Sequence, residues 1–468
     1  MPSNLVFAPV RRLGEMVRTR QVSPVELTAV FLDRLEHIGP RYNAVASITR
    51  ERAEQQARNA EREISAGRYR GPLHGIPYGI KDLFSTSGGI PTGWGARHFD
   101  GQQIDYDATV VRKLEAAGAV MIGKLATVEL AGNFRYDRYD NSSTGAGLNP
   151  WDTKTWAGGS SNGSGSAVCA GLVPFAIGTE TWGSILGPSN NCGISGLRPT
   201  HGRVSRYGAM PLSWTLDKPG PMCLTADDCG LVLEAIAGHD PEDEFTSERE
   251  YRYTAAEAGR KLKLAVRKGA TEGADPEVAA NFETALKALG EVADIDEIEF
   301  PDMPYGEITI AIFFAESASI WEEFIDSGLS KTMVAPESRA FAYPRMSMLA
   351  TDYLKAVRLR KVMCREIDSV IAPYDAVAAP TSPFPAPPVI KKKTRKKAAK
   401  APKDIMGAIG NGAGLPSASV PTGFTKAGLP TCIQFMGRAY NENAVLAVAR
   451  AYQSVTEWHT RHPADVMG

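Results

Sequence analysis

Ala157-Gly158-Gly159-Ser160-Ser161-Asn162-Gly163-Ser164-Gly165-Ser166 and Gly178-Thr179-Glu180-Thr181-Trp182-Gly183-Ser184 are the two turns around which the chain is organised. Each is rich in glycine and carries serine, and the hydrophobic run Ala167 to Ile177 lies between them. Composition alone reads the first turn as a flexible Gly/Ser linker. A linker, however, is not flanked by a small-residue helix and a buried strand. A phosphate loop needs G-x-x-x-x-G-K-[ST], which the sequence does not contain. The competing reading is chemical: Ser184 as nucleophile, Ser160 as proton shuttle and Lys81 as base.

A serine hydroxyl is a weak nucleophile at its own pKa and needs a base. No G-x-S-x-G elbow is present, and none of the seven histidines sits in a suggestive setting. Lysine can serve if it is neutral, and burial in low dielectric lowers its pKa. Gly75-Ile76-Pro77-Tyr78-Gly79-Ile80-Lys81-Asp82 has the required form: a short apolar run read as a buried strand, with a lysine at its end. Lysines at strand edges are ordinarily solvated, so it is the serine turns downstream that raise the catalytic reading. Asp82 is adjacent, but neighbouring strand residues point to opposite faces. Thr181-Trp182-Gly183 form a tight turn whose successive N–H groups can converge on an oxyanion.

The totals narrow the alternatives. The 468 residues are 43% hydrophobic and 22% charged, an ordinary globular composition, with a formal net charge of -1. That balance offers no global field for nucleic acid or acidic membranes. Six scattered cysteines form no C-x-x-C pair, so neither a disulfide framework nor a metal site is expected, and no cofactor. No secretory leader or membrane-spanning run is read. A soluble cytoplasmic chain is expected.

Elements alternate along the chain. Ser23-Pro24-Val25-Glu26 opens a helix with a capping box, and a charged helix runs from Arg50 to Ala66. Asp107 is expected to cap a helix that leads into the strand Ala119 to Ile122. A small-residue helix is expected to begin at Ser166, and a strand at Leu172. Lys261 to Val266, Pro276 to Leu289 and Val292 to Ile298 read as strand, helix, strand, and residues 311–370 as mostly helical. Ser417 to Pro421 and Thr431 to Met436 read as strands, and Asn443 to Thr456 as a closing helix. The alternation places helices over a sheet, and with no clean linker one large domain, 1–468, is expected. Residues 391–403 hold seven lysines and one arginine, and are read as a solvated basic surface loop rather than a nucleic-acid site.

Together these residues resemble the amidase signature family of serine hydrolases. Gly158 to Ser164 is similar to the family's G-G-S-S-G-G-S loop, with Asn162 replacing a glycine, and Gly178 to Ile185 to its G-T-D-x-G-G-S-I turn. Ser160 and Ser184 lie 24 residues apart, as in the family. Gly75 to Asp82, Asn149-Pro150-Trp151-Asp152, Gly196-Leu197-Arg198-Pro199-Thr200 and Ala413-Gly414-Leu415-Pro416 extend the likeness over nearly the whole chain.

The resemblance implies an α/β fold: a central mixed twisted β-sheet covered on both faces by α-helices, with residues 70–210 as the catalytic core segment. It implies a Ser184–Ser160–Lys81 triad with a cis peptide bond entering Ser160, and an oxyanion hole from Thr181, Trp182 and Gly183. It implies hydrolysis of small, apolar amides, with aryl esters or carbamates (urethanes) as further substrates. The alternative is a glutamine-dependent tRNA amidotransferase subunit. Family members are often dimers, so a homodimer is among the expected states. Glu180, Trp182 and Leu186 depart from the family's usual aspartate, glycine and arginine. Phe134, Tyr136, Trp182 and Leu186 are therefore read as substrate-pocket residues.

Overall fold

A computed structural model describes residues 5–132, 139–255, 260–390 and 403–466. In chain order its strands are β1 (Val45–Ile48), β2 (Pro77–Lys81), β3 (Val120–Leu125), β4 (Leu148–Asn149), β5 (Asp152–Trp156), β6 (Phe175–Glu180) and β7 (Ser195–Arg198). They continue with β8 (Lys218–Cys223), β9 (Leu262–Arg267), β10 (Ala293–Ile298), β11 (Ala376–Pro380), β12 (Ser417–Phe424) and β13 (Pro430–Met436). Among the described residues, eleven strands form one sheet in the order β1-β3-β2-β6-β8-β7-β12-β13-β11-β9-β10. The sheet is mixed. β2 runs parallel to both β3 and β6, and β9 parallel to β10 and β11, while β6–β8 and β12–β13 are antiparallel. Helices flank it, as the α/β reading expects.

The parallel centre explains the apolar run that precedes Lys81. β2 lies between two strands, so all five of its residues are buried. Such strands read as continuous hydrophobic runs rather than alternating ones. The register sets Lys81 beside Leu125 of β3 and Ile80 beside Ile177 of β6. Lys81 thereby leaves the strand at its C-terminal edge. Ser160 and Ser184 also gather there, the latter just after the end of β6.

Other expectations meet different outcomes. The Ser23 capping box is present, its hydroxyl accepting from the Glu26 amide. Asp107 caps no helix; the Thr109–Ala116 helix begins after Ala108 without a side-chain cap. Asp107 instead takes both Arg52 guanidinium nitrogens, at 3.0 and 2.7 Å, and the Ser87 amide at 2.8 Å. A charged partner across the fold outcompetes a local cap. The small-residue helix spans Asn162–Cys169, four residues earlier than expected, and every residue in it is buried. Glycine and serine are poor helix formers, but close packing favours them here. A Cβ on Gly163 would stand 2.4 Å from the Ala126 amide nitrogen and 2.5 Å from the Ala44 carbonyl oxygen. A helix at Leu186–Cys192 and the strands β1, β8 and β11 have no counterpart in the sequence reading.

Candidate active site

The chemistry-bearing side chains meet where β2 and β6 end. Lys81 is fully buried. Its Nζ lies 2.6 Å from Ser160 Oγ and 3.0 Å from Thr179 Oγ1. Burial lowers the Lys81 pKa to about 7, opposed by the negative charges of Asp217 and Glu180. Near neutral pH a large fraction of Lys81 is therefore an uncharged amine, able to accept a proton. Both of its hydrogen-bond partners are hydroxyls.

The first turn is pinned on both sides. The Gly159–Ser160 peptide bond is cis. The Ser160 carbonyl accepts from the Val128 amide at 3.2 Å and the Thr127 hydroxyl at 3.1 Å. Ser161 donates its amide to the Ser184 carbonyl at 3.3 Å, and its hydroxyl to the Thr179 carbonyl at 3.3 Å. The two turns that the sequence singles out are thus hydrogen-bonded to each other, and the Ser160 backbone is adjacent to that of Ser184.

The second turn is held from its beginning and from its end. Gly183 has φ +77°, a left-handed conformation that side-chain-bearing residues rarely adopt. Among the described residues, the amides of Thr181, Trp182 and Gly183 donate to no acceptor of the protein. They are available to a developing oxyanion. Glu180 Oε2 accepts from the amides of Ile185 at 2.9 Å and Leu186 at 3.0 Å, and Oε1 from Arg198 Nη1 at 2.8 Å. Arg198 and Glu180 are completely buried, and Arg198 holds the Glu180 carboxyl below the usual carboxylate range against the effect of burial. At this position, where the family's usual residue is aspartate, glutamate ties the turn to the helix that follows Ser184.

The expected pocket residues separate into three groups. Trp182 lines a cavity of about 600 Å³ with Phe300, Met303, Tyr305 and Ile310, and its indole N–H donates to Asp404 Oδ2 at 2.8 Å. Leu186 instead lies in the hydrophobic core, as the first residue of the Leu186–Cys192 helix. Phe134 and Tyr136 fall outside the described residues, as does the basic segment except Lys403, which also lines the Trp182 cavity. No histidine among the described residues hydrogen-bonds Ser184. His201 is half-buried and sits 3.1 Å from the Trp214 carbonyl; desolvation, with Lys218 and Arg206 nearby, lowers its pKa to about 3.

A family model described as Amidase matches residues 26–446. The chain belongs to the amidase family. It is 38% identical over 477 residues to a glutamyl-tRNA(Gln) amidotransferase subunit of Chloroflexus aggregans, covering 95% of each protein. Its fold superposes on the peptide amidase of Stenotrophomonas maltophilia with a TM-score of 0.84 at 28% identity, covering 96% of both chains. With a glutamyl-tRNA(Gln) amidotransferase subunit of Thermotoga maritima the TM-score is 0.77 at 28% identity, covering 96% of this chain and 95% of that one. The amidase family is therefore reached independently from sequence and from fold.

Sequence reasoning passed over Thr179, Asp217 and Asp404 in this chain. Thr179 stands in a quoted turn, and its spacing from Ser184 was available. Asp217 and Asp404 lie far from the turns in sequence, beside Lys218 and Lys403, where acids ordinarily form exposed pairs. No local pattern marks them. Among the described residues no helix is long and apolar enough to cross a membrane.

Proposed function

We propose that this chain is an amide hydrolase working through a Ser184 acyl-enzyme. The observation that carries the reading is the buried Lys81 amine, 2.6 Å from the Ser160 hydroxyl and lowered by burial to about 7. Neutral Lys81 takes the Ser160 proton as Ser160 takes that of Ser184. Ser184 Oγ attacks the substrate carbonyl, and the amides of Thr181, Trp182 and Gly183 stabilise the oxyanion. Each such donor is worth about 10²–10³ in rate. The relay then returns the proton to the leaving amine, and water activated by the same relay hydrolyses the ester to Ser184.

The substrates are small, apolar amides, with aryl esters and carbamates entering the same acyl transfer. The cavity beside Trp182 is lined by Phe300, Met303 and Ile310 as well as by the charged Arg267, Asp302 and Glu307, and its apolar wall supports this choice. The test is a turnover screen of anilides, aliphatic amides, aryl esters and carbamates on the purified chain alone. Turnover that Ser184→Ala removes is expected; no turnover of any class by the chain alone would contradict it.

The second reading is a glutamine-dependent tRNA amidotransferase subunit, favoured by the 38% identity to the amidotransferase relative from Chloroflexus aggregans. The hydrolase reading is preferred on two observations. The TM-score to the peptide amidase exceeds that to the amidotransferase relative from Thermotoga maritima. Trp182 also places an indole, bonded to Asp404, where the family usually has glycine. Co-purification with other amidotransferase components, together with glutamine-dependent transfer to charged tRNA, would reverse that preference.

A further inference from the structure

We propose that Asp217 is a positioning residue for the Ser184 reaction, clamping the oxyanion turn through Thr181 and placing a negative charge in the neighbourhood of Lys81. This rests on the Ser184–Ser160–Lys81 reading.

The geometry is that of a bridge. Asp217 Oδ1 accepts the Thr181 hydroxyl at 2.5 Å. Its Oδ2 accepts the amides of Leu212 at 2.7 Å and Ser213 at 2.9 Å. One carboxylate thus joins the turn before Ser184 to the segment entering β8. That segment is itself anchored by Glu316, on the helix Tyr305–Ile320. Glu316 accepts from the Ser213 hydroxyl, from the Thr215 amide at 3.1 Å and hydroxyl at 2.7 Å, and from the Tyr353 hydroxyl at 3.1 Å. Thr181, Ser213, Asp217 and Glu316 are all buried. The network therefore runs from the oxyanion turn into the helical scaffold. Because the Thr181 hydroxyl serves the clamp, its amide remains free for the oxyanion. A preorganised hole depends on such support, since small misplacements of donors are costly in rate.

The charge argument is separate. Lys81 bonds Ser160 from the first turn and Thr179 from β6, and Asp217 holds Thr181 two residues further along, so that Asp217 and the neighbouring Glu180 bring negative charge to bear on the amine. Arg198 neutralises Glu180, and Lys218 stands beside Asp217. Burial lowers the Lys81 pKa, and Asp217 is the foremost group opposing it. Burial also pushes the Asp217 carboxyl up, against the Thr181 hydroxyl, two amides and Lys218. Lys81 acts as a base only when neutral, so activity rises with pH through its pKa. Removing the Asp217 charge lowers that pKa further and moves the acid limb of the profile to lower pH. A merely structural residue would lower the rate without moving the limb.

The test is the rate of Ser184 labelling by a fluorophosphonate as a function of pH, with the labelled residue mapped by mass spectrometry, in the full chain. Asp217→Asn is expected to label about tenfold more slowly on its plateau, less than the loss of an oxyanion donor itself, with its acid limb shifted down. Thr181→Val keeps the charge and the amide; it should slow labelling similarly and leave the limb in place. An unmoved limb in Asp217→Asn, or a wild-type rate in Thr181→Val, overturns the proposal. The Thr181→Val arm decides alone if Asp217→Asn does not fold. Absence of label on Ser184 in the wild-type chain instead defeats the underlying triad reading.

Discussion

Lys81 and Lys124 are both buried lysines on the neighbouring parallel strands β2 and β3, one register step apart, yet their surroundings differ. Lys81 meets two hydroxyls, Ser160 and Thr179. Lys124 lies 3.4 Å from the Asp82 carboxylate and donates to the Phe84 carbonyl and the Thr92 hydroxyl, both at 2.7 Å. Burial lowers both pKa values, to about 7 for Lys81 and about 8 for Lys124, where Asp82 opposes it. Burial alone, then, does not define a base. The distinguishing feature is what the amine touches: hydroxyls that can relay a proton, or a carboxylate and a carbonyl that retain it. Lys81 ends β2 and Asp82 follows it in the turn, so one dipeptide contributes to both environments.

The comparison can be broken at several points. Ser184→Ala should have the largest effect, a loss of about 10³-fold or more in turnover because the nucleophile itself is gone; steady-state amide or ester hydrolysis by the purified variant checks it. Lys81→Met should approach that loss and abolish the acid limb that the wild-type profile shows near pH 7. The sign follows from the chemistry: below its pKa Lys81 is protonated and cannot accept a proton, so rate is lost as pH falls. A pH–rate profile of kcat/KM decides it, and an unchanged limb would remove Lys81 from the role of base. Lys124→Met should do the opposite. It leaves Asp82 buried without its cation, a change that costs about 3–5 kcal/mol of stability, read from denaturant unfolding. Its turnover per folded molecule should stay within about threefold of wild type, since Lys124 belongs to no proton relay. Equal catalytic losses in the two lysine variants would erase the distinction. Trp182→Ala should have the smallest effect. By enlarging the space beside the turn it should change the kcat/KM ratio between bulky and small amides by about tenfold, leaving the acid limb in place.

The two turns were legible because their chemistry is local. Glycine and serine in each turn and a lysine ending an apolar strand are visible in the sequence, and the resemblance to the amidase signature family joins them; in the structure Lys81 and Ser160 meet. The supporting residues were not legible. Asp217 and Asp404 reach the second turn from about 35 and 220 residues away along the chain, and nothing in their neighbourhoods separates them from surface acids. The helix Leu186–Cys192 was hidden by Gly187, Pro188 and two asparagines, all weak helix formers; burial of the segment overrides them. β8 was hidden by Pro219 and Pro221, which argue against a central strand. Among the described residues β6 pairs along the whole length of β8, but β7 pairs only with its Met222 and Cys223, leaving Pro219 and Pro221 without ladder partners on that side. Asp107 shows the converse error, in which a local cap signal yields to the Arg52 ion pair.

The most direct test of the central claim is the pH dependence of fluorophosphonate labelling at Ser184, measured in the wild-type chain and in Lys81→Met. The account predicts labelling on Ser184 that rises with pH through about 7 in the wild type and is slow without that rise in the variant. Labelling at another residue, or a profile that Lys81→Met leaves unchanged, would contradict it.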